Sequence, residues 1–159
     1  MSKQFTTKRI RRRHSNELKF NKVPTLSVLY PNYKLLQTEG SIQDWQSSID
    51  QEWNTKNLLQ MYFYHTVFKI KVSDMLNLLN LDKTKLYRQT LLEKTFELFN
   101  SDKNPLFSEE KQYLINKISS HISMSVGDII MIDKDIYQLS GLGFKQRKED
   151  ALILNQPQL

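Results

Sequence analysis

A chain of 159 residues, 39% hydrophobic and 25% charged, has the length and composition of one ordinary domain with its own core, and global disorder is not expected. It contains no cysteine, which excludes disulfides, thiolate metal sites and a cysteine nucleophile and makes a reducing, cytoplasmic setting the expected one. The net charge of +6 is unevenly placed: residues 1–22 carry eight basic side chains against Glu17 alone, a net of +7, whereas the other 137 residues hold 15 basic and 16 acidic side chains, a net of −1.

No apolar run approaches the ~20 residues of a membrane-spanning helix, and no apolar stretch of a signal peptide follows the early basic residues, so no membrane partner is expected. Residues 1–16 lack acids and contain several Ser and Thr, as a mitochondrial presequence would. Phe5 and Ile10 are their only large apolar residues after Met1, too few for an amphipathic targeting helix. Residues 1–22 therefore read as a basic arm: Arg11, Arg12 and Arg13 repel one another, and few apolar groups offset the entropy of ordering them. Arginine stays charged, and its planar fork gives phosphate two hydrogen bonds. Lys8, Arg9, Arg11, Arg12 and Arg13 are the expected phosphate contacts on nucleic acid, DNA and RNA both being open. A solvated tail, or an arm for an acidic protein or lipid surface, would use the same charges and is the alternative.

Residues 23–37 are irregularly apolar, and Pro24 and Pro31 forbid a continuous helix and confine any strand to an edge or to two short pieces. After Gly40, Ser41 with Asp44 predicts an N-cap. Ile42, Trp45, Ile49 and Trp53 recur at helical spacing behind it, which makes both tryptophans core anchors rather than base-stacking platforms. Over 62–72, Val67, Lys69 and Lys71 alternate with Phe68, Ile70 and Val72 and predict a strand, in which His65 is a half-buried structural residue. Ser73 predicts the cap of a short helix over 74–79 that ends at Asn80. A second helix is predicted over 83–99, with Leu86, Tyr87, Leu91, Leu92, Thr95, Phe96 and Phe99 on its buried side. Residues 100–105 break the chain, and 108–118 predict another short helix with acids in its first turn. Residues 126–132 and 136–139, joined by Asp133, Lys134 and Asp135, predict a hairpin entered at Gly127 and Asp128 and left at Gly141 and Gly143. The expected architecture is α+β: a single small domain over 23–146, with several short helices and a small antiparallel sheet that includes the C-terminal hairpin. The basic arm, 1–22, precedes it and a tail, 147–159, follows.

Residues 72–88 (VSDMLNLLNLDKTKLYR) resemble a helix-turn-helix. Asn80 takes the turn position, Leu81 the apolar anchor and Asp82 the cap of the second helix, although the turn is commonly glycine and a small residue commonly stands where Leu76 does. The resemblance implies that Lys83, Lys85 and Arg88 face outward, toward phosphates and bases. Plain packing of two amphipathic helices is the alternative. Residues 91–144, through Leu91–Asn100, Ser123–Ile132, Tyr137 and the Gly143-Phe144 pair, resemble a YodL-like module of plasmid, phage and other mobile-element proteins. That resemblance implies a mobile-element setting, sometimes near antirestriction proteins, and assigns no activity.

Catalysis is not expected. His14, His65 and His121 fall in an arm, a strand and a loop, with no metal-ligand or triad spacing among them. Gly141-Leu142-Gly143 lacks the lysine and helix of a phosphate-binding loop. Ser125 with Asp128 reads as turn capping, and His121 with Asp128 is the one pairing that a fold could turn into chemistry. No metal or cofactor is expected. The function read from the sequence is nucleic-acid binding in an accessory or regulatory role. The alternative is a protein-interaction module, an inhibitor of a host defence system or a subunit of a larger ribonucleoprotein, whose arm binds a partner.

Overall fold

The computed structural model describes residues 17–18, 24–51, 63–84 and 86–147. Among them the order is β1 (Thr25–Pro31), α1 (Tyr33–Thr38), α2 (Ile42–Ser48), β2 (Tyr64–Lys71), α3 (Val72–Leu79), α4 (Arg88–Phe99), α5 (Glu109–Ile115), β3 (Ile129–Ile132), β4 (Asp135–Ser140) and β5 (Gly143–Arg147). The strands form one antiparallel sheet in the order β2-β1-β3-β4-β5. This is a single small α+β domain, as the sequence predicts. Trp53, expected on the helix behind Ser41, lies outside the described residues, as does residue 62 of the expected strand.

The strand between the two prolines is neither at an edge nor in pieces. β1 pairs with β2 on one side and β3 on the other. Pro24 precedes the strand and Pro31 ends it, so every residue from Thr25 to Tyr30 keeps the N–H that an internal position requires. Its even residues Leu26, Val28 and Tyr30 join Ile130, Ile132, Tyr137 and Leu139 in one core cluster with α3 and α4. Leu29 joins Tyr64, Ile129 and Ile136 in a second cluster under α1 and α2. Burial on both faces explains the near-continuous apolar run. β2 is one of the two edge strands, and its exposed Lys69 and Lys71 discourage pairing with another chain. Val67 bulges there: Val28 faces Phe68 while Leu29 faces Thr66.

Two helix starts differ from expectation. α3 begins at Val72 with Lys71 at its N-cap, so Ser73 lies inside the helix; Asn80 closes it in the left-handed conformation at φ 58°. Leu81 N–H donates to Leu76 O (2.9 Å) and Asn80 N–H to Asn77 O (3.2 Å), which satisfies the carbonyls at the helix end. α4 begins at Arg88 rather than Lys83. Asp82 Oδ1 accepts from both Thr84 N–H and Thr84 Oγ1 at 2.8 Å, a local turn that competes with helix initiation. Beyond it Tyr87 is extended (φ −104°, ψ 136°) and pairs with Glu17, while Leu86 O accepts from Leu18 N–H. The short turn of a helix-turn-helix is therefore not formed.

The C-terminal hairpin is built on Asp133 (φ 52°) and Lys134, with Ile132 opposite Asp135. Gly141 and Gly143 do not release the chain. Gly141 and Leu142 make a second two-residue turn, Gly143 stands at φ 111°, and the chain returns as β5. Arg147, expected to begin a tail, is 5% exposed and belongs to the body. No helix among the described residues is long and apolar enough to cross a membrane.

Candidate nucleic-acid interface

The root of the basic arm is strapped to the α3–α4 connection. Leu18 N–H donates to Leu86 O (2.9 Å), Glu17 forms an antiparallel bridge with Tyr87, and Leu18 packs against the main core. The sequence gives Leu18 to the arm; the fold gives it to the body. Lys8, Arg9, Arg11, Arg12 and Arg13 lie outside the described residues, as does Lys85.

The three cations expected to face outward along a recognition helix divide. Lys83 precedes the helix and is exposed. Arg88 turns toward the sheet: its Nη2 is 3.9 Å from Asp135 Oδ2, its guanidinium carbon is 5.6 Å from the Tyr137 ring centroid, and its side chain is 19% exposed. Burial first, and Asp135 second, raise the Tyr137 phenol above its ordinary value. The first residue of α4 is thus engaged with β4 and is not presented to a groove. Tyr87, at the N-cap and opposite Glu17, is 37% exposed.

His121 and Asp128 do not pair with each other. His121 Nδ1 lies 2.9 Å from Ser123 O, and its ring packs edge-on to Tyr33 at 5.1 Å; Asp128 Oδ2 accepts from Ser125 N–H at 2.8 Å. Asp128 has no exposed surface, and its Oδ1 has no hydrogen-bond partner. Burial raises this carboxyl well above the ordinary 3.8, against the lowering by Ser125. The folded chain therefore holds a proton that the unfolded chain releases. The stability it contributes is full below the unfolded value and falls as pH rises toward the folded value, by at most about 1.4 kcal/mol per pH unit. Asp128→Asn should remove this fall while an amide oxygen still accepts from Ser125. Urea unfolding at pH 4, 5, 6 and 7 is expected to show the variant gaining on the wild type with rising pH; parallel curves would refute a protonated Asp128.

A buried polar network, which the sequence reading missed, ties α2 to the sheet. Tyr64 hydroxyl accepts from Trp45 Nε1 and Gln138 Nε2, both at 2.9 Å, and donates to Gly127 O at 2.6 Å. Gln138 Oε1 accepts from Arg147 Nε (3.0 Å) and Nη2 (2.7 Å), and the guanidinium also reaches the carbonyls of Ser48, Ile49 and Gln51. The cation lies where the carbonyls at the end of α2 concentrate negative charge. Strand parity carried a signal: Gln138 follows Ile136 by two positions and shares its inward face. Beside the network a shallow groove of about 410 Å³ runs past Trp45, Asp50 and Gly141. Leu142 is fully exposed at the adjacent turn. Among the described residues no group of three or more His, Asp or Glu could hold a metal ion.

No protein-family model matches the chain, and no solved structure matches it. It is similar to an uncharacterized protein of Acanthamoeba polyphaga mimivirus, R785, with 42% identity over 64 residues, 40% of this chain. Those residues span 59% of the relative's length, less than two thirds of it.

Proposed function

We propose that the protein binds nucleic acid without catalysing a reaction, as an accessory or regulatory component of a virus, phage or plasmid-type mobile element. The observation that carries the reading is the segregation of charge, a net +7 in residues 1–22 on a body of net −1. An arm of that charge gains affinity by displacing counterions from a polyphosphate, which needs no preformed pocket. The fastening of its root, Glu17 and Leu18, to Tyr87 and Leu86, a few residues along the chain from exposed Lys83, supports an arm anchored to the body. The resemblance of residues 91–144 to YodL-like modules and the similarity to a viral protein support the setting.

Truncation through residue 22 would also remove Leu18 from the core, so the test keeps the chain whole. Replacing Arg9, Arg11, Arg12 and Arg13 together with glutamine should lower affinity for a labelled oligonucleotide at least tenfold at physiological salt. The slope of log K against log salt should fall by about 3, from roughly 0.7 to 0.9 per phosphate contact. Fluorescence anisotropy across a salt series reads both. An unchanged slope would overturn the assignment. Leu142 and the groove beside it favour the second reading, a protein-interaction module, and absence of any nucleic-acid binding by the intact chain would leave that reading in place.

A further inference from the structure

We infer that the body carries its own nucleic-acid contact, a polar sheet face on which Lys69 and Lys71 of β2, with the hydroxyls of Ser27 and Thr25, hold backbone phosphates; this deepens the proposed function and rests on it. The register pairs Ser27 with Lys69 and Thr25 with Lys71, which puts all four residues on one face of the β1–β2 pair. Leu26 and Val28, with their partners Ile70 and Phe68, take the other face and belong to the main core with α3 and α4. The face that holds the four residues is covered at one end only. There Leu29, Ile129 and Ile136 pack with Leu36 of α1 and Trp45 of α2. Toward the other end β1 turns polar: Ser27 and Thr25 are half-buried, and both lysines are exposed.

Each of these four side chains can donate a hydrogen bond, and the fold leaves the two charges uncompensated. Among the described residues neither ammonium has a carboxylate within ion-pair reach. Asp133 and Asp135, which stand at that end of the sheet, are engaged: Asp133 Oδ1 accepts from Thr25 N–H at 3.0 Å, and Asp135 Oδ2 lies 3.9 Å from Arg88 Nη2. Asp74 belongs to α3, which packs on the opposite face through Val72, Met75 and Leu76. Protection of the sheet edge does not account for both lysines, because the bulge at Val67 already disrupts pairing there. Lys71 also stands at the N-cap of α3 and makes no side-chain cap, where the positive end of the helix disfavours a cation and a Ser, Thr, Asp or Asn would stabilise the start. A cation that breaks this local rule without a partner in the fold points to an anion outside it. Residues two apart on a strand are about 7 Å apart, so each lysine can take its own phosphate. Ser27 and Thr25 beside them supply hydroxyl contacts of the kind that position a backbone without reading bases.

The test uses the full chain with a labelled oligothymidylate and a labelled DNA duplex, read by fluorescence anisotropy across a salt series. On whichever of the two binds more tightly, Lys69→Gln with Lys71→Gln should lower the slope of log K against log salt by about 1.5, from roughly 0.7 to 0.9 per phosphate contact. Affinity at physiological salt should fall by roughly 10- to 30-fold, the effect of two such contacts. Lys69→Arg with Lys71→Arg should bind like the wild type. Lys94→Gln with Lys103→Gln removes the same charge from α4 and the loop after it and should keep the wild-type slope, which separates a local contact from net charge. Because the slope does not depend on the fraction of active protein, a folding defect is not mistaken for a lost contact. An unchanged slope in the Lys69 and Lys71 glutamine pair overturns the inference, as does an equal fall in the Lys94 and Lys103 pair. Self-association of the first pair in sedimentation velocity, with its slope unchanged, would leave the two lysines as guards of the sheet edge alone. If the four-arginine variant loses binding while the Lys69 and Lys71 pair keeps its slope, the inference falls and the proposed function stands; if the intact chain binds neither oligonucleotide, both fall.

Discussion

Replacing Gly127 with alanine is expected to destabilise the protein by about 3 to 5 kcal/mol, against the 5 to 15 kcal/mol typical of a whole domain. Two costs add. Gly127 sits at φ 100°, where an L side chain is strained by roughly 1 to 3 kcal/mol. A Cβ there would run into Trp45 Cζ2 and stand 2.7 Å from Cη2 and 3.2 Å from Ile49 Cδ1. Forcing bulk into such a site costs typically 1 to 3 kcal/mol more. Trp45 cannot step aside cheaply, because it is 3% exposed and its Nε1 donates to Tyr64. Gly127 itself is held at both ends: its N–H donates to Leu139 O at 2.8 Å, and its carbonyl accepts from Tyr64 hydroxyl and Gln138 Nε2. For a chain of this length such a loss should lower Tm by about 10 °C. A urea-unfolding loss below about 1 kcal/mol would show that Trp45 and the turn have room the geometry denies.

The same turn shows which parts of the fold were open to a reading of residue order and which were not. Gly127 and Asp128 as an entry turn and Asn80 as a left-handed helix end each follow from one residue's own chemistry, and each is found in place. The helix expected over 108–118 runs over Glu109–Ile115 with Glu109 and Glu110 in its first turn, and Ser108, at its N-cap, accepts from Lys111 N–H at 3.2 Å. Expectations that depended on a distant partner went astray. Pro24 and Pro31 each count against a strand when taken singly, but what matters is the run of free N–H groups between them. The cap signal at Asp82 is real, but Leu18 and Glu17 pair with Leu86 and Tyr87, and that contact spans nearly seventy residues. By their own chemistry Gly141 and Gly143 look like points at which the chain leaves the hairpin. Only a fold with a second hairpin uses them as the ends of a turn, and only that fold brings Arg147 inside.

Arg147→Ala is expected to cost about 3 to 5 kcal/mol, the range for removing one partner from a buried, charge-assisted set. The guanidinium serves Gln138 Oε1 and the carbonyls of Ser48, Ile49 and Gln51, and Arg147 is 5% exposed. Alanine would leave Gln138 Oε1 and the Ile49 carbonyl buried without this donor and would open space at the end of α2. Arg147→Met keeps most of the stem and should cost somewhat less, because the cavity is filled while the acceptors stay unsatisfied. Arg147→Lys keeps the charge but not the fork, and one ammonium cannot span acceptors on both β4 and the α2 end, so it should fall between wild type and Met. Urea unfolding orders the three variants. Hydrogen exchange adds a local readout, since β5 is an edge strand paired only with β4 and its amides should lose protection first. An Ala variant as stable as the wild type would mean that α2 and the sheet are joined by the Trp45–Tyr64 contact alone. The guanidinium would then be a passenger rather than the tie between β5 and the helix end.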